Sequence, residues 1–144
     1  MKILGIDFGK RRIGLALSDD YGWSAQGLTT ITRINTETDL SRIKEIIALY
    51  RVEEVLVGLP RNLNGTMGPQ TQEVMSFVNQ LRKNLNLPVV TWDERLSSVA
   101  AEKILLEADV SRKKRKKVID KLAAAIFLQS YLESKRKKIV DFEE

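Results

Sequence analysis

The stretch Lys2–Ser18, KILGIDFGKRRIGLALS, decides the fold. Lys2–Asp7 and Ile13–Ser18 read as short β runs, and in the second Ile13, Leu15 and Leu17 share one face while the small Gly14, Ala16 and Ser18 share the other. The turn between them, Phe8–Arg12, is short enough to fold the two runs into an antiparallel hairpin. A third strand is expected at Leu28–Thr32, where β-branched residues dominate. The period then lengthens: Thr36 with Asp39 makes a capping-box-like start, and Leu40, Ile43, Ile46, Ile47 and Tyr50 follow at helical spacing.

Glu54–Gly58 (EVLVG) reads as a strand buried on both faces. Pro69 opens an amphipathic helix with Val74, Phe77, Val78, Leu81 and Leu85 on its core face, and Val89–Trp92 is a further strand. Ser97 or Ser98 caps a helix bearing Ala101, Ile104, Leu105 and Ala108, and after a basic run a last helix holds Leu122–Leu132. The order β-β-β-α-β-α-β-α-α predicts a five-stranded mixed sheet with helices on both faces, its first three strands antiparallel and its last two parallel to the first. No repeat or low-complexity linker interrupts residues 1–144, so one domain is expected.

Composition narrows the chemistry. With 43% hydrophobic and 30% charged residues the chain is too apolar for a disordered tail. Its longest apolar run, Leu122–Leu128, is far short of the ~20 residues that span a bilayer. After Met1 and Lys2 no apolar signal core follows, so the expected location is the cytoplasm, with no membrane partner. There is no Cys and no His. Thiolate nucleophiles, Ser-His-Asp triads and the usual zinc ligand sets are therefore excluded. Hydrolytic chemistry would rest on carboxylates, whose oxygens suit Mg²⁺ or Mn²⁺.

The net charge of +5 hides an asymmetry. Arg112–Lys117 (RKKRKK) and Lys135–Lys138 (KRKK) hold ten of the 24 cations; without them 14 cations would face 19 acids, a net of −5. Such concentration is the footprint of a polyanion-binding stripe. The bland alternatives are a solvated loop and a frayed tail, and the first run, which lies just before an acid, favours function.

Three acids are candidates to converge. Asp7 ends the first strand, and sites in open α/β sheets form at the carboxyl ends of parallel strands. Asp93 and Glu94 follow the strand Val89–Trp92; only one can point toward Asp7, and Glu94 is preferred with Asp93 in reserve. Asp120 precedes Ala124 by four residues and Phe127 by seven, on the apolar side of the last helix, where an unpaired charge is costly. Asp19 falls at the opposite sheet edge. Clustered carboxylates repel unless a cation intervenes, and two divalent ions would form the clamp used to cleave phosphodiesters.

Four ordered motifs, GIDFGKRRIGLALSD (Gly5–Asp19), VGLPRNLNGTMGPQT (Val57–Thr71), DERLSS (Asp93–Ser98) and DKLAAAIFLQSYLE from Asp120, resemble the YqgF family, also called RuvX, nearly end to end. The resemblance implies a ribonuclease H-like three-layer α/β/α fold akin to the Holliday junction resolvases. It implies a metal-dependent nuclease linked to maturation of the 5′ end of pre-16S rRNA, with junction resolution as the other proposal. Carried over by motif, it implicates Asp7, Glu94 and Asp120 as the metal-binding acidic triad. The fuller resolvase pattern has a fourth carboxylate; one helical turn either side of Asp120 this chain has Lys117 and Ala123.

Substrate contacts are expected from Lys10, Arg11 and Arg12 in the turn after Asp7, or these simply cap a solvated hairpin. Arg61 and Asn62 lie in a Gly- and Asn-bearing loop that opens a helix and suits a phosphate. Arg95 would contact the nucleic-acid backbone or pair with Glu94. Arg112, Lys113, Lys114, Arg115, Lys116 and Lys117 would track phosphates by charge neutralisation. Trp23 and Trp92 are core or base-stacking residues. The expected partners are an rRNA precursor and branched DNA, and neither a monomer nor a dimer is marked in the residues. A non-catalytic RNA-binding or assembly factor on the same fold is the rival reading.

Overall fold

The computed structural model describes residues 1–60, 68–93 and 112–143, with 112–119 and 137–143 described as backbone only. Its strands are β1 (Ile3–Phe8), β2 (Arg12–Ser18), β3 (Ala25–Thr32), β4 (Glu54–Leu59) and β5 (Val89–Asp93); its helices are α1 (Thr36–Tyr50), α2 (Pro69–Asn84) and α3 (Arg112–Glu143). The sheet order is β3-β2-β1-β4-β5. β1–β2 and β2–β3 pair antiparallel, and β1–β4 and β4–β5 pair parallel, as the sequence pattern predicts. Pairing of Leu4 with Leu17 leaves Asp19 at the sheet end opposite Asp7.

Strand alternation separates two cores. Leu4, Ile6 and Phe8 of β1, with Ile13 and Leu15 of β2, bury against Ile43 of α1 and Val74, Phe77 and Val78 of α2. The rings of Phe8 and Phe77 stack 4.2 Å apart. On the other face Ile3, Ala16 and Leu56 meet Ala124, Phe127, Leu128 and Tyr131 of α3. Fully burying a side chain of Leu or Phe size stabilises by about 1.5–3 kcal/mol, so these two layers carry the fold. Small residues let α3 approach: a Cβ on Gly5 would lie 3.2 Å from Leu128 Cβ, and one on Gly14 only 2.1 Å from the Asp120 carbonyl oxygen.

Four local expectations are revised. β3 starts at Ala25 rather than Leu28, running through exposed Gln26 and Gly27 to an irregularity opposite Leu15 and Ala16. The N-cap of α1 is Asn35, not Thr36; its side chain accepts from the Thr38 N–H at 2.8 Å, while buried Asp39 accepts from the Ile34 N–H. Leu85 packs against the core as expected, but as the C-cap of α2 rather than as a residue within the helix. The RKKRKK run is not a loop before the last helix: it forms the first turns of α3, which continues unbroken through KRKK. The expected helix after Ser97 or Ser98 lies outside the described residues.

At the far end of the sheet from Asp7, nearly buried Glu54 accepts hydrogen bonds from the Tyr131 hydroxyl (3.0 Å) and Lys135 Nζ (3.3 Å). Burial, then the hydrogen bond to Glu54, raise the Tyr131 hydroxyl above its ordinary 10.0. Burial alone would lower Lys135, but its contacts with Tyr131 and the attraction of Glu54 together raise it above 10.5. Groups raised on folding contribute stability below their unfolded values and lose it as pH climbs through the folded ones. Urea denaturation should therefore show stability declining above about pH 10, and Tyr131→Phe should flatten that decline. An alkaline limb unchanged in Tyr131→Phe would dissociate this cluster from the pH response.

Candidate active site

The site grows from the β1–β2 turn. Gly9 N–H donates to the Arg12 carbonyl at 2.9 Å, and a Cβ at Gly9 would sit 2.8 Å from that same oxygen, so the tightness of the turn requires glycine. Asp7 pairs with Gly14 in the sheet register and shares the α3-facing side with Ile3 and Gly5. Gly14 in turn lies directly beneath the Asp120 backbone. Near the carboxyl end of β1, Asp7 thus stands opposite the strand residue over which the Asp120 backbone lies, because a residue without a side chain admits the helix there.

Arg12, the first residue of β2, donates from Nε to Asp120 Oδ2 at 2.6 Å. The two side chains are 30% and 22% exposed, so solvent screens the pair only partly. A cavity of about 210 Å³ opens beside it, lined by Gly9, Lys10, Arg11, Arg12 and Asp120. Lys10 and Arg11 are exposed at its rim. The arrangement offers an anion the cations of the turn while keeping a carboxylate within the same recess.

Arg33 is a residue that sequence reasoning missed. Its Nη1 donates to the carbonyls of Gly9 (3.0 Å) and Lys10 (2.9 Å) and to Glu73 (3.0 Å), and its guanidinium lies 4.2 Å from the Phe8 ring centre. It ties the turn to α2 and sets the height of Lys10 and Arg11. Nothing around Arg33 in the chain announces this, because every partner but the strand pairing comes from elsewhere.

On β5, Val89 joins the α1/α2 core while Val90 and Trp92 pack toward α3. Alternation therefore puts Asp93 on the face away from Asp7. Glu94, Arg95, Arg61 and Asn62 lie outside the described residues, as do the side chains of Arg112–Lys117, whose backbone is helical. Among the described residues no three acids cluster in metal-binding geometry. Trp92 is partly buried with its ring edge-on to Tyr131 at 5.3 Å, whereas Trp23 is 63% exposed.

This sheet order with its flanking helices is the fold of the RuvC-type resolvases. Thermus thermophilus RuvC, solved in complex with a Holliday junction substrate, aligns with TM-score 0.59 and 17% identity over 95% of this chain and 96% of that one. The fowlpox virus resolvase, solved with Holliday junction DNA, aligns with TM-score 0.55 and 13% identity over 93% and 98%. The chain belongs to the RuvX family, described as Holliday junction resolvase, whose pattern matches residues 1–134. Among its relatives, a Desulforamulus reducens protein named "Putative pre-16S rRNA nuclease" is 56% identical over 93% of this chain and 98% of its own length. A Thermoanaerobacter pseudethanolicus protein of the same name is 53% identical over 96% and 100%.

Proposed function

We propose that the chain is a divalent-metal-dependent nuclease that processes the 5′ end of pre-16S rRNA in the cytoplasm. The reading is supported by the register of Asp7 with Gly14, over which the Asp120 backbone lies, and by the place of Asp120 in the recess of the cationic turn. The donor chemistry fits Mg²⁺ or Mn²⁺: the acids present hard oxygens, and the chain has no sulfur or imidazole donor from Cys or His to favour a softer ion. Asp7 and Asp120 would hold the ion, with Glu94 as the third ligand in this proposal. When bound, such an ion polarises the phosphoryl oxygens and supplies a nucleophile at neutral pH.

The chain's own groups do the rest. Lys10 and Arg11 hold the phosphate on either side of the bond to be cut. Arg12 fixes the rotamer of Asp120 and balances its charge. Arg61, Asn62 and Arg95 position the substrate. Six cations, Arg112–Lys117, give affinity through counterion release, which makes binding steeply salt-dependent. The relatives' shared name favours an rRNA precursor as substrate.

Junction resolution is the second reading, favoured by the family description and by the junction-bound structural neighbours. Single-turnover incubation with labelled pre-16S rRNA and with a synthetic four-way junction, each in Mg²⁺, Mn²⁺ or chelator, separates the readings. Cleavage of the RNA alone, abolished by chelator, is the expected result. Binding of RNA without cleavage in any metal would leave a non-catalytic assembly factor.

Arg12→Gln isolates the role of the ion pair. Loss of a partly buried pair should lower stability by about 1 kcal/mol, a fall of roughly 4 °C in Tm. With the competing positive charge gone, Mn²⁺ should bind more tightly in calorimetric titration. Unchanged Mn²⁺ affinity would show that Arg12 does not oppose a cation at Asp120.

A further inference from the structure

The β2–β3 turn, at the opposite end of the sheet from Asp7, presents an exposed aromatic on an unusually well-tied backbone. Trp23 is 63% exposed and neighbouring Tyr21 is 84% exposed. Asp19 Oδ1 accepts from the Trp23 N–H at 2.7 Å, Asp19 N–H donates to the Ser24 carbonyl at 3.1 Å, and Gly22 adopts the left-handed φ of 71° that the turn demands. The Trp23 carbonyl accepts from both Gln129 Nε2 (3.2 Å) and Arg136 Nη1 (2.7 Å) of α3. The Arg136 guanidinium also lies 5.0 Å from the centre of the Trp23 ring. An apolar ring, mostly exposed, is thus held in solvent with a cation against one face.

The cation on the ring suits a polyanion even with acids nearby: Asp20 pairs with Lys2 at 3.3 Å, while Asp19 accepts from the Trp23 N–H and Glu133 from Gln129 Nε2, both keeping their charge. Arg136 belongs to the KRKK run, and Lys137 and Lys138 follow on the same helix. Bases stack on aromatic rings without regard to sequence, and a flanking arginine adds cation–π attraction and phosphate neutralisation. A preordered ring loses little freedom on stacking.

We propose that Trp23, backed by Arg136, is a stacking platform for an unpaired base in the single-stranded flank of the nucleic acid whose phosphate occupies the Asp7–Asp120 site. The inference rests on the nuclease reading for its substrate class. Asp120 and Arg136 are both on α3, and the rise of the helix puts them ~24 Å apart, about seven nucleotide steps at ~3.4 Å each. The platform therefore reads the length of the flank rather than its sequence.

The chain has two tryptophans, so Trp92→Phe leaves Trp23 as the sole indole reporter. That protein is titrated, in chelator so that nothing is cut, with an RNA hairpin carrying a tail of about ten unpaired nucleotides, long enough for the ~24 Å span. The same hairpin with a tail of about two nucleotides cannot reach. The expected result is quenching by the long tail only, with affinity roughly tenfold or more above the short tail, as loss of one stacked base implies. Trp23→Ala should equalise the two RNAs, and Trp23→Phe should keep most of the difference. Equal affinities, or long-tail binding without quenching, overturns the platform; so does a concentration-dependent rise in solution mass that Trp23→Ala abolishes, which would make a second copy of the chain the occupant. Cleavage without Trp23 quenching sinks this inference and spares the nuclease reading, while quenching without cleavage in any metal does the reverse.

Discussion

Asp7→Asn should abolish metal-dependent cleavage while leaving nucleic-acid affinity within a factor of about two. The substitution is nearly isosteric at a position whose neighbours in the register are Gly14 and the helix above it, so packing is preserved. It removes one negative charge and one oxygen donor from a proposed metal ligand. A ligand whose loss weakens transition-state charge stabilisation by about 4 kcal/mol slows the reaction by about a thousandfold. Affinity comes mainly from phosphate neutralisation by cations that the change does not touch, and loss of a nearby negative charge can only help it. The comparison is made by single-turnover cleavage in Mg²⁺ or Mn²⁺ alongside filter binding in chelator. Retained cleavage would remove Asp7 from the catalytic set and with it the proposed chemistry.

The second large effect is on the fold itself. At Gly14 an added Cβ would meet three backbone atoms of α3: the Asp120 carbonyl oxygen at 2.1 Å, its carbon at 2.3 Å and the Lys121 nitrogen at 2.9 Å. Backbone cannot rotate aside as a side chain can, so the helix must lift by about an ångström or the strand must sink into the opposite core. Overpacking of this kind costs about 3 kcal/mol. Gly14→Ala should therefore lower Tm by ~10 °C, and Gly14→Val by more, even though valine is the better strand former. Gly5→Ala, whose Cβ would first meet Leu128 Cβ at 3.2 Å, should cost much less. Where Gly14→Ala remains folded, displacement of Asp120 by about an ångström should still slow cleavage by about a hundredfold. A Tm within two degrees of the parent would mean that α3 does not bear on β2 in the way described.

How far these features can be read from the chain depends on the range of the forces involved. The β1–β2 hairpin is legible because Ile13, Leu15 and Leu17 alternate with Gly14, Ala16 and Ser18, and each set does meet its own core. The core face of α2 is legible for the same reason at a longer period. The start of β3 is hidden because Gln26 and Gly27 lack strand character and are held by pairing with β2. The extent of α3 is hidden because six adjacent cations read as mutual repulsion, whereas Lys and Arg are intrinsically good helix formers. Of the candidate acids, the place of Asp7 near the end of β1 and of Asp120 on the last helix can be read from strand ends and helix phase. The Arg12–Asp120 pair and the buttress of Arg33 cannot, since they exist only once distant segments have docked.

α3 runs 32 residues without interruption, about 48 Å, with a cationic block at each end and the carboxylate of Asp120 between them. Like charges three and four residues apart in such blocks destabilise the helix that carries them. A polyanion laid along the rod cancels that self-repulsion, so loading the protein also braces it. Cargo and scaffold are in this sense one mechanical object, stiffest when it is at work.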